Sequence, residues 1–280
     1  MATNSINSNV SAQVALSNLN ATSAQLQVVQ TRVSTGLAVN SATDNPAVWA
    51  IAQRSRSDVA SLAAATESLT RTKSVVDLST AAASQVSDIL NQIRTKVSSA
   101  TDASLDSSSR SQLNSDVSNL ISQINRTVNA ASFNGVNLLK SGATSLSALA
   151  DVSGGVVSVS ANVLNVKSGG SNAKGITFSA GSSFSTVSAA TKLLNQINTS
   201  ITNVNTAVSN LGASSTALAS QASFISTLSD SLNTGIGNLV DADIAKESAN
   251  LQALQTKQQL GVQVLQIANS SKSALLSLFR

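Results

Sequence analysis

The chain contains no cysteine, no histidine and no tyrosine, and only one proline and one tryptophan in 280 residues. Each absence removes a class of chemistry. Without cysteine there is no disulfide, no thiolate nucleophile and no thiolate metal site. Without histidine no Ser–His–Asp triad and no imidazole ligand can be assembled, so this serine-rich chain makes a poor hydrolase. No other pairing of base and nucleophile stands out, and no catalytic, cofactor-binding or metal-binding residue is expected. Charge is scarce too: Asp, Glu, Lys and Arg make up 11% of the chain, where a soluble domain runs near ~25%. Aromatic residues are 2%, so the apolar share of 42% is mostly Ala, Val, Leu and Ile.

The 17 cations outnumber the 13 acids, but they are spread along the chain with no cluster denser than Arg54/Arg56, Arg71/Lys73 or Arg94/Lys96. A phosphate-tracking surface needs a basic stripe, and base stacking needs aromatics; neither is present, which argues against a nucleic-acid partner. No run of about 18 apolar residues occurs, so no membrane-spanning helix is expected. The opening Met1 to Asn7 has no Lys, no Arg and no apolar core, which predicts no cleavable secretory signal.

What the chain does have is heptads. From Ala12, steps of seven reach Leu19, Leu26 and Val33, with Ala15, Thr22 and Val29 between them, an a/d seam on one helix. Gly36 supplies a C-terminal stop, and Asp44-Asn45-Pro46 a fresh start with a capping side chain ahead of proline. The next helix keeps the step through Leu62, Leu69, Val76, Ala83, Leu90 and Val97, joined late by Val86 and Ile93. After a polar break at 101–109 a third helix carries Leu113, Val117, Leu120, Ile124 and Val128, up to the tight-turn signal Phe133-Asn134-Gly135.

Residues 136–185 hold most of the glycines, and period-two alternation at Val157–Ala161 and Ile176–Ser179 predicts short strands and hairpins. Helix returns with Ala190, Ile197, Val204, Leu211, Leu218, Ile225 and Leu232. Gly235 and Gly237 are expected to interrupt it before Asp241-Ala242-Asp243 opens a last helix with Ile244, Leu251, Leu254, Val264, Leu265 and Leu275. The fold expected is therefore mainly α: long heptad-patterned helices in a coiled-coil or bundle rod, with a small glycine-rich β-hairpin insert.

Residues 1–31 carry no charge, and no acid follows Glu247. Exposed on a monomer, such neutral amphipathic ends would present an adhesive surface to every other copy. Self-association, with the two ends pairing and becoming ordered on assembly, is the simplest use of them. Other features have plainer explanations. Asp241 and Asp243 lack a third ligand and read as helix caps, not a metal pair. Gly154-Gly155 and Gly169-Gly170 lack the Gly-Lys-Ser/Thr of a phosphate loop and read as turns. Trp49 reads as a packing residue. Arg54 and Arg56 fit a solvated face and an inter-subunit contact equally well.

Several stretches together resemble bacterial flagellin. Ser5-Ile6-Asn7-Ser8-Asn9 is similar to the family's Ile-Asn-Thr-Asn start. Ala15-Leu16-Ser17-Asn18-Leu19-Asn20, Arg32-Val33-Ser34-Thr35-Gly36-Leu37 and Asn40-Ser41-Ala42-Thr43-Asp44-Asn45 follow in the family's order. Phe133-Asn134-Gly135-Val136-Asn137-Leu138-Leu139 resembles its Phe-Asn-Gly turn, and Asp241-Ala242-Asp243-Ile244-Ala245-Lys246-Glu247 its C-terminal signature. Trp49 and the short centre resemble the short flagellins of alpha-proteobacteria.

The resemblance implies an inner coiled coil from residues 1–33 and 244–280, and a connecting spoke at 34–57. It further implies an outer helical rod from 58–140 and 186–240, with a short β-rich centre at 141–185. It implies a subunit that polymerises into the filament used for swimming, with Ala12, Leu19, Leu26, Val33, Leu251, Leu254, Val264, Leu265 and Leu275 on the polymerisation seam. No cofactor is implied. Partners would be further copies of the chain, an export chaperone of the flagellar type III apparatus and the cap and junction proteins, with O-linked sugar conceivable on Ser158 to Ser185. The hook–filament junction protein shares the terminal pattern and is the nearest alternative. A chemoreceptor hairpin, also Ala/Ser-rich with long heptads, would need methylation pairs and a membrane anchor that this chain lacks.

Overall fold

The computed structural model describes residues 8–167 and 174–277, with side chains as far as residue 270. Its helices are α1 (Val10–Thr35), α2 (Pro46–Ala100), α3 (Ser107–Ala130), α4 (Val187–Val240) and α5 (Ile244–Ser277). Between α3 and α4 lie strands β1 (Leu146–Leu149) and β2 (Val156–Val159), an antiparallel hairpin with Leu146 opposite Val159 and Leu149 opposite Val156. Two compact units result. One takes the chain ends, Met1–Ser57 and Ser231–Arg280, and the other is Asp58–Asp230.

Helix boundaries follow local chemistry. Asn9 accepts from the Ala12 amide at 3.1 Å to start α1, and Gly36, left-handed at φ 74°, ends it with its N–H bonded to Arg32 O. Asn45 Oδ1 accepts from Val48 N ahead of Pro46, and Asp106 Oδ1 from Ser109 N at 2.6 Å, starting α2 and α3. These serine amide and hydroxyl contacts hold the Asp106 carboxyl below its ordinary value.

Within the unit 58–230 the heptads are filled. Along α2, Leu62, Ala65, Leu69, Thr72, Val76, Ser79, Ala83, Val86, Leu90, Ile93, Val97 and Ala100 are all buried, in alternating steps of three and four. The second row looks late in the sequence because two of its members, Thr72 and Ser79, are polar. Ser79 turns its hydroxyl back onto Val75 O, which lets it sit in an apolar seam. On α4, Ala190, Leu193, Ile197, Ser200, Val204, Ala207, Leu211, Leu218 and Ile225 repeat the pattern. Ser87 donates to Asn205 and Ser215 to Asp77, so α2 and α4 run antiparallel. Packing of α3 adds Val117, Ile121, Ile124 and Val128 to the core.

One cation is buried here without a carboxylate contact. Arg110 Nε donates to Ala100 O and its Nη2 to Asp102 O, closing off carbonyls at the C-terminal end of α2, where a positive charge also suits the helix dipole.

Three expectations are corrected. Ile176–Ser179 is not a strand: Thr177 N donates to Ser200 Oγ, Thr177 Oγ1 to Gln196 O, and Asn203 Nδ2 to Gly175 O. Side-chain and backbone groups of α4 thus take the place of a partner strand, while Ile176 and Phe178 fill the core. Gly235 and Gly237 do not interrupt α4, which continues to Val240, because a helix already held by packing tolerates the ~1 kcal/mol cost of a glycine. A Cβ on Gly237 would come within 2.8 Å of the Asp241 carboxylate. Finally, of the two aspartates read as caps of the last helix, only Asp243 caps α5, accepting from Lys246 N, while the Asp241 amide bonds Gly237 O at the end of α4.

Candidate assembly interface

The two chain ends meet as a pair of antiparallel helices. Asn9 Nδ2 donates to Ala268 O at 2.9 Å, Gln258 Nε2 to Ser23 Oγ at 3.3 Å and Arg32 Nη1 to Glu247 Oε1 at 3.3 Å. The residues turned inward on α1 are Ala12, Ala15, Leu19, Thr22, Leu26, Val29 and Val33, the heptad set read from the sequence. Those on α5 are Glu247, Leu251, Leu254, Gln258, Gly261, Leu265 and Ala268. Gly261 lets the helices close tightly, since a Cβ there would lie 3.2 Å from Leu19 Cδ1.

Only Ala15 and Val29 of this seam are buried; Ala12, Leu19, Leu26, Val33, Leu251, Leu254 and Leu265 are half-buried. Val264 does not face into the α1–α5 pair. One residue before Leu265, it is rotated by about 100° and stands 54% exposed on the outer side of α5. Leu275 lies outside the described side chains. Leu260, Val262 and Ile267 on α5 are exposed as well, as are Val10, Val14, Leu16 and Val28 on α1. A groove of about 920 Å³ runs along the pair, floored by Val28, Val29, Leu254 and Leu260 with Arg32 and Lys257 at its edges. Apolar side chains at this density on an outer face, with no acid among them, mark a surface built to be covered.

Two of the signature stretches, 36–45 and 241–247, fall next to this pair. Ala242 N donates to Gly36 O at 2.9 Å, Ala38 N to Val240 O at 2.7 Å, and Leu37 and Asp241 form an antiparallel bridge. Residues some 200 positions apart in the chain are thereby stitched together, a pairing that heptad reasoning gives no hint of. Asp44 organises the following loop. Its Oδ2 accepts from the Ser41 and Asn40 amides and the Ser41 hydroxyl, and these hydrogen bonds, Ser41's first, hold its carboxyl below the ordinary value. Asn18, Asn20 and Ile244 are exposed, and Glu247 carries the ion pair. Phe133, Asn134 and Gly135 belong to the other unit. Phe133 and Val136 exchange backbone bonds around Asn134 at φ 50° and Gly135 at φ 80°, as an Asn-Gly turn requires. Arg54 and Arg56 are exposed. Among the described residues no group of three or more potential metal ligands occurs, and no helix is long and apolar enough to cross a membrane.

Known proteins bear the same pattern. The bacterial flagellin N-terminal helical region matches residues 6–144 and the C-terminal helical region residues 194–279. Flagellin FljM of Caulobacter vibrioides is 44% identical over 280 residues, covering 100% of both chains. Flagellin FljK of the same organism is 42% identical over 285 residues, again across 100% of both. A flagellin of Brucella melitensis is 37% identical across 99% of each chain. The junction-protein and chemoreceptor alternatives are not favoured by these matches. With both terminal regions matched and full-length relatives at such identity, the chain belongs to the bacterial flagellin family, as a short filament subunit of the alpha-proteobacterial kind.

Proposed function

We propose that copies of this flagellin pack into the swimming filament through the outer apolar face of the α1–α5 pair. The half-buried seam of Ala12, Leu19, Leu26, Val33, Leu251, Leu254 and Leu265 holds each pair together. Val264 and its exposed neighbours are left for adjacent copies. The observation that carries this reading is the exposure of Val10, Val14, Leu16, Val28, Leu260, Val262, Val264 and Ile267 on two helices with almost no charge. Each is about half open, so covering it contributes on the order of 1 kcal/mol, and eight per subunit are repeated along a filament.

The route follows from what the filament requires. The destination is outside the cell, and the chain leaves unfolded through the flagellar type III apparatus, attended by an export chaperone and ending against cap and junction proteins. A chain with no cysteine and one proline refolds without disulfide formation and with little proline isomerisation to slow it, which supports that route. Exposed hydroxyls at Ser158, Ser160, Ser183 and Ser185 offer attachment points for O-linked sugar. Electron microscopy of purified protein after seeding or salting-out tests the central reading. Filaments are expected from the natural sequence; soluble monomer under all conditions overturns it.

A further inference from the structure

The terminal helices carry an unusual economy of charge. Among residues 10–35 of α1 the single charged side chain is Arg32, and among residues 244–277 of α5 the single acid is Glu247. Just one alignment of the two helices can bring that cation and that acid together, and it is the one observed, with Nη1 and Oε1 at 3.3 Å. The apolar seam contributes to the alignment as well. Leu19, Leu26 and Val33 recur at seven-residue steps on α1, while the seven-residue rows of α5 are Leu251, Gln258, Leu265 and Glu247, Leu254, Gly261, Ala268, so a slip of one heptad sets Leu19 against Leu254 or Ala268 in place of Gly261.

We propose that Arg32 and Glu247 are positioning residues that set the axial register of the α1–α5 pair. Slipped one heptad one way, Arg32 faces Leu254. Slipped the other way, Glu247 faces Gln25. The Glu247 side chain is only 12% exposed, and its Oε2 and the Arg32 Nε are shut off from solvent with no hydrogen-bond partner. A slipped pair would therefore leave a largely buried carboxylate without its one counter-charge, which is the arrangement proteins tolerate least. A single polar or charged contact in an apolar seam is an established way to fix helix register. The ends of the helices add to it. Arg32 lies in the last turn of α1 and Glu247 in the first turn of α5, each at the helix end whose dipole favours its sign. The significance for assembly rests on the filament reading above: a slipped pair presents its outer row of apolar residues out of step with the neighbouring copy.

The chain has no cysteine of its own, so introduced pairs report register without background. Leu19→Cys with Gly261→Cys reads the native alignment, because a Cβ at 261 lies 3.9 Å from Leu19 Cβ, within disulfide reach. Leu19→Cys with Ala268→Cys, or with Leu254→Cys, reads a one-heptad slip in either direction. Filaments carrying these pairs are oxidised and the intrachain link is identified by mass spectrometry, in the natural background, in Arg32→Gln, in Glu247→Gln, and in the exchange Arg32→Glu with Glu247→Arg. The natural background should link only in the native alignment. Each single change should lower the native-to-slipped ratio roughly tenfold, the scale of a lost charged hydrogen bond. The exchange should restore it. Unchanged native linking in both single variants overturns the proposal and assigns the register to the backbone bridge between 36–39 and 240–242. Should the single variants not polymerise, filaments regained by the exchange with native linking support the proposal, and filaments not regained overturn it. If the natural sequence itself forms no filament, the filament reading fails instead, and the same pairs read on the soluble chain still decide the register.

Discussion

In α2 the heptad positions Leu62, Leu69, Leu90 and Ile93 are sealed from solvent, whereas in α1 the equivalent Leu19, Leu26 and Val33 stand half open. The sequence pattern is the same in both helices; the number of neighbours differs. Within 58–230, α2 is flanked by α3, α4 and the loops between them, so a third row, Val75, Ala82 and Ile89, is buried as well. In the terminal pair each helix has one partner, and two helices alone can cover only one stripe of each other. The first region is a core complete within one chain. The second is a core laid open, with Val10, Val14, Leu260, Val264 and Ile267 where the missing helices would pack. On the assembly proposed above, what one copy leaves uncovered is covered by other copies.

The sharpest way to break this comparison is a charge on the open face. Val264→Asp or Ile267→Asp should abolish filaments outright, since each copy then places an unpaired carboxylate in an apolar contact repeated along the polymer. Circular dichroism melting of the monomer should show the 58–230 unit unchanged. Leu19→Asp, Leu26→Asp and Leu265→Asp, in the seam itself, should have the same outcome.

Truncation sharpens the contrast by a smaller amount. Leu90→Ala should cost about 3 kcal/mol in denaturant unfolding of the 58–230 unit, because the cavity is enclosed. Leu260→Ala in soluble monomer should cost under about 1 kcal/mol, as that side chain is already more than half in water. Equal losses would mean that the terminal pair is as complete as the core of the 58–230 unit.

Arg110→Met tests the buried cation. It leaves the Ala100 and Asp102 carbonyls without their donor, and a loss of roughly 1–3 kcal/mol is expected for the same unit by urea titration. The terminal helices should not register the change.

Acid is the gentlest probe. The hydrogen bond and charge of Lys96 hold Asp116 below its ordinary pKa. At Asp77 burial pushes the other way but is outweighed by hydrogen bonds from Lys73 and Ser215. A carboxyl depressed in the folded state stabilises it above the unfolded pKa, and that contribution is lost as pH falls through the lower folded value. The chain has no histidine, the side chain whose ordinary pKa lies between pH 5 and 8. The melting temperature of the 58–230 unit should be flat across that range and fall below about pH 4. The fall should be smaller in Asp116→Asn, which starts lower.

Much of this was legible in the primary structure, because heptads are a long-range signal repeated many times. The seams of α1, α2 and α4, the Gly36 stop and the Asn45-Pro46 start all stand where spacing and capping chemistry put them. Failures came where a local signal was overridden. Alternation at Ile176–Ser179 marks an extended segment with one buried side, but whether its backbone pairs with a strand or with Ser200 and Gln196 depends on what lies opposite. Gly235 and Gly237 carry a helix-breaking signal weaker than the packing of α4. The bridge from Gly36–Val39 to Val240–Ala242 joins distant residues, and no short-range pattern encodes it. Arg110 carries no distinguishing mark in the sequence, because its role depends on the Ala100 and Asp102 carbonyls that the turn after α2 brings to it.

Hydrogen exchange of the same protein as soluble monomer and as assembled filament tests the central claim most directly. If the terminal pair is a core completed by other copies, amides of α1 and α5 should exchange rapidly in the monomer and become strongly protected in the filament. Those of α2, α3 and α4 within 58–230 should be protected in both. Terminal helices as well protected in the free monomer as in the filament would contradict it.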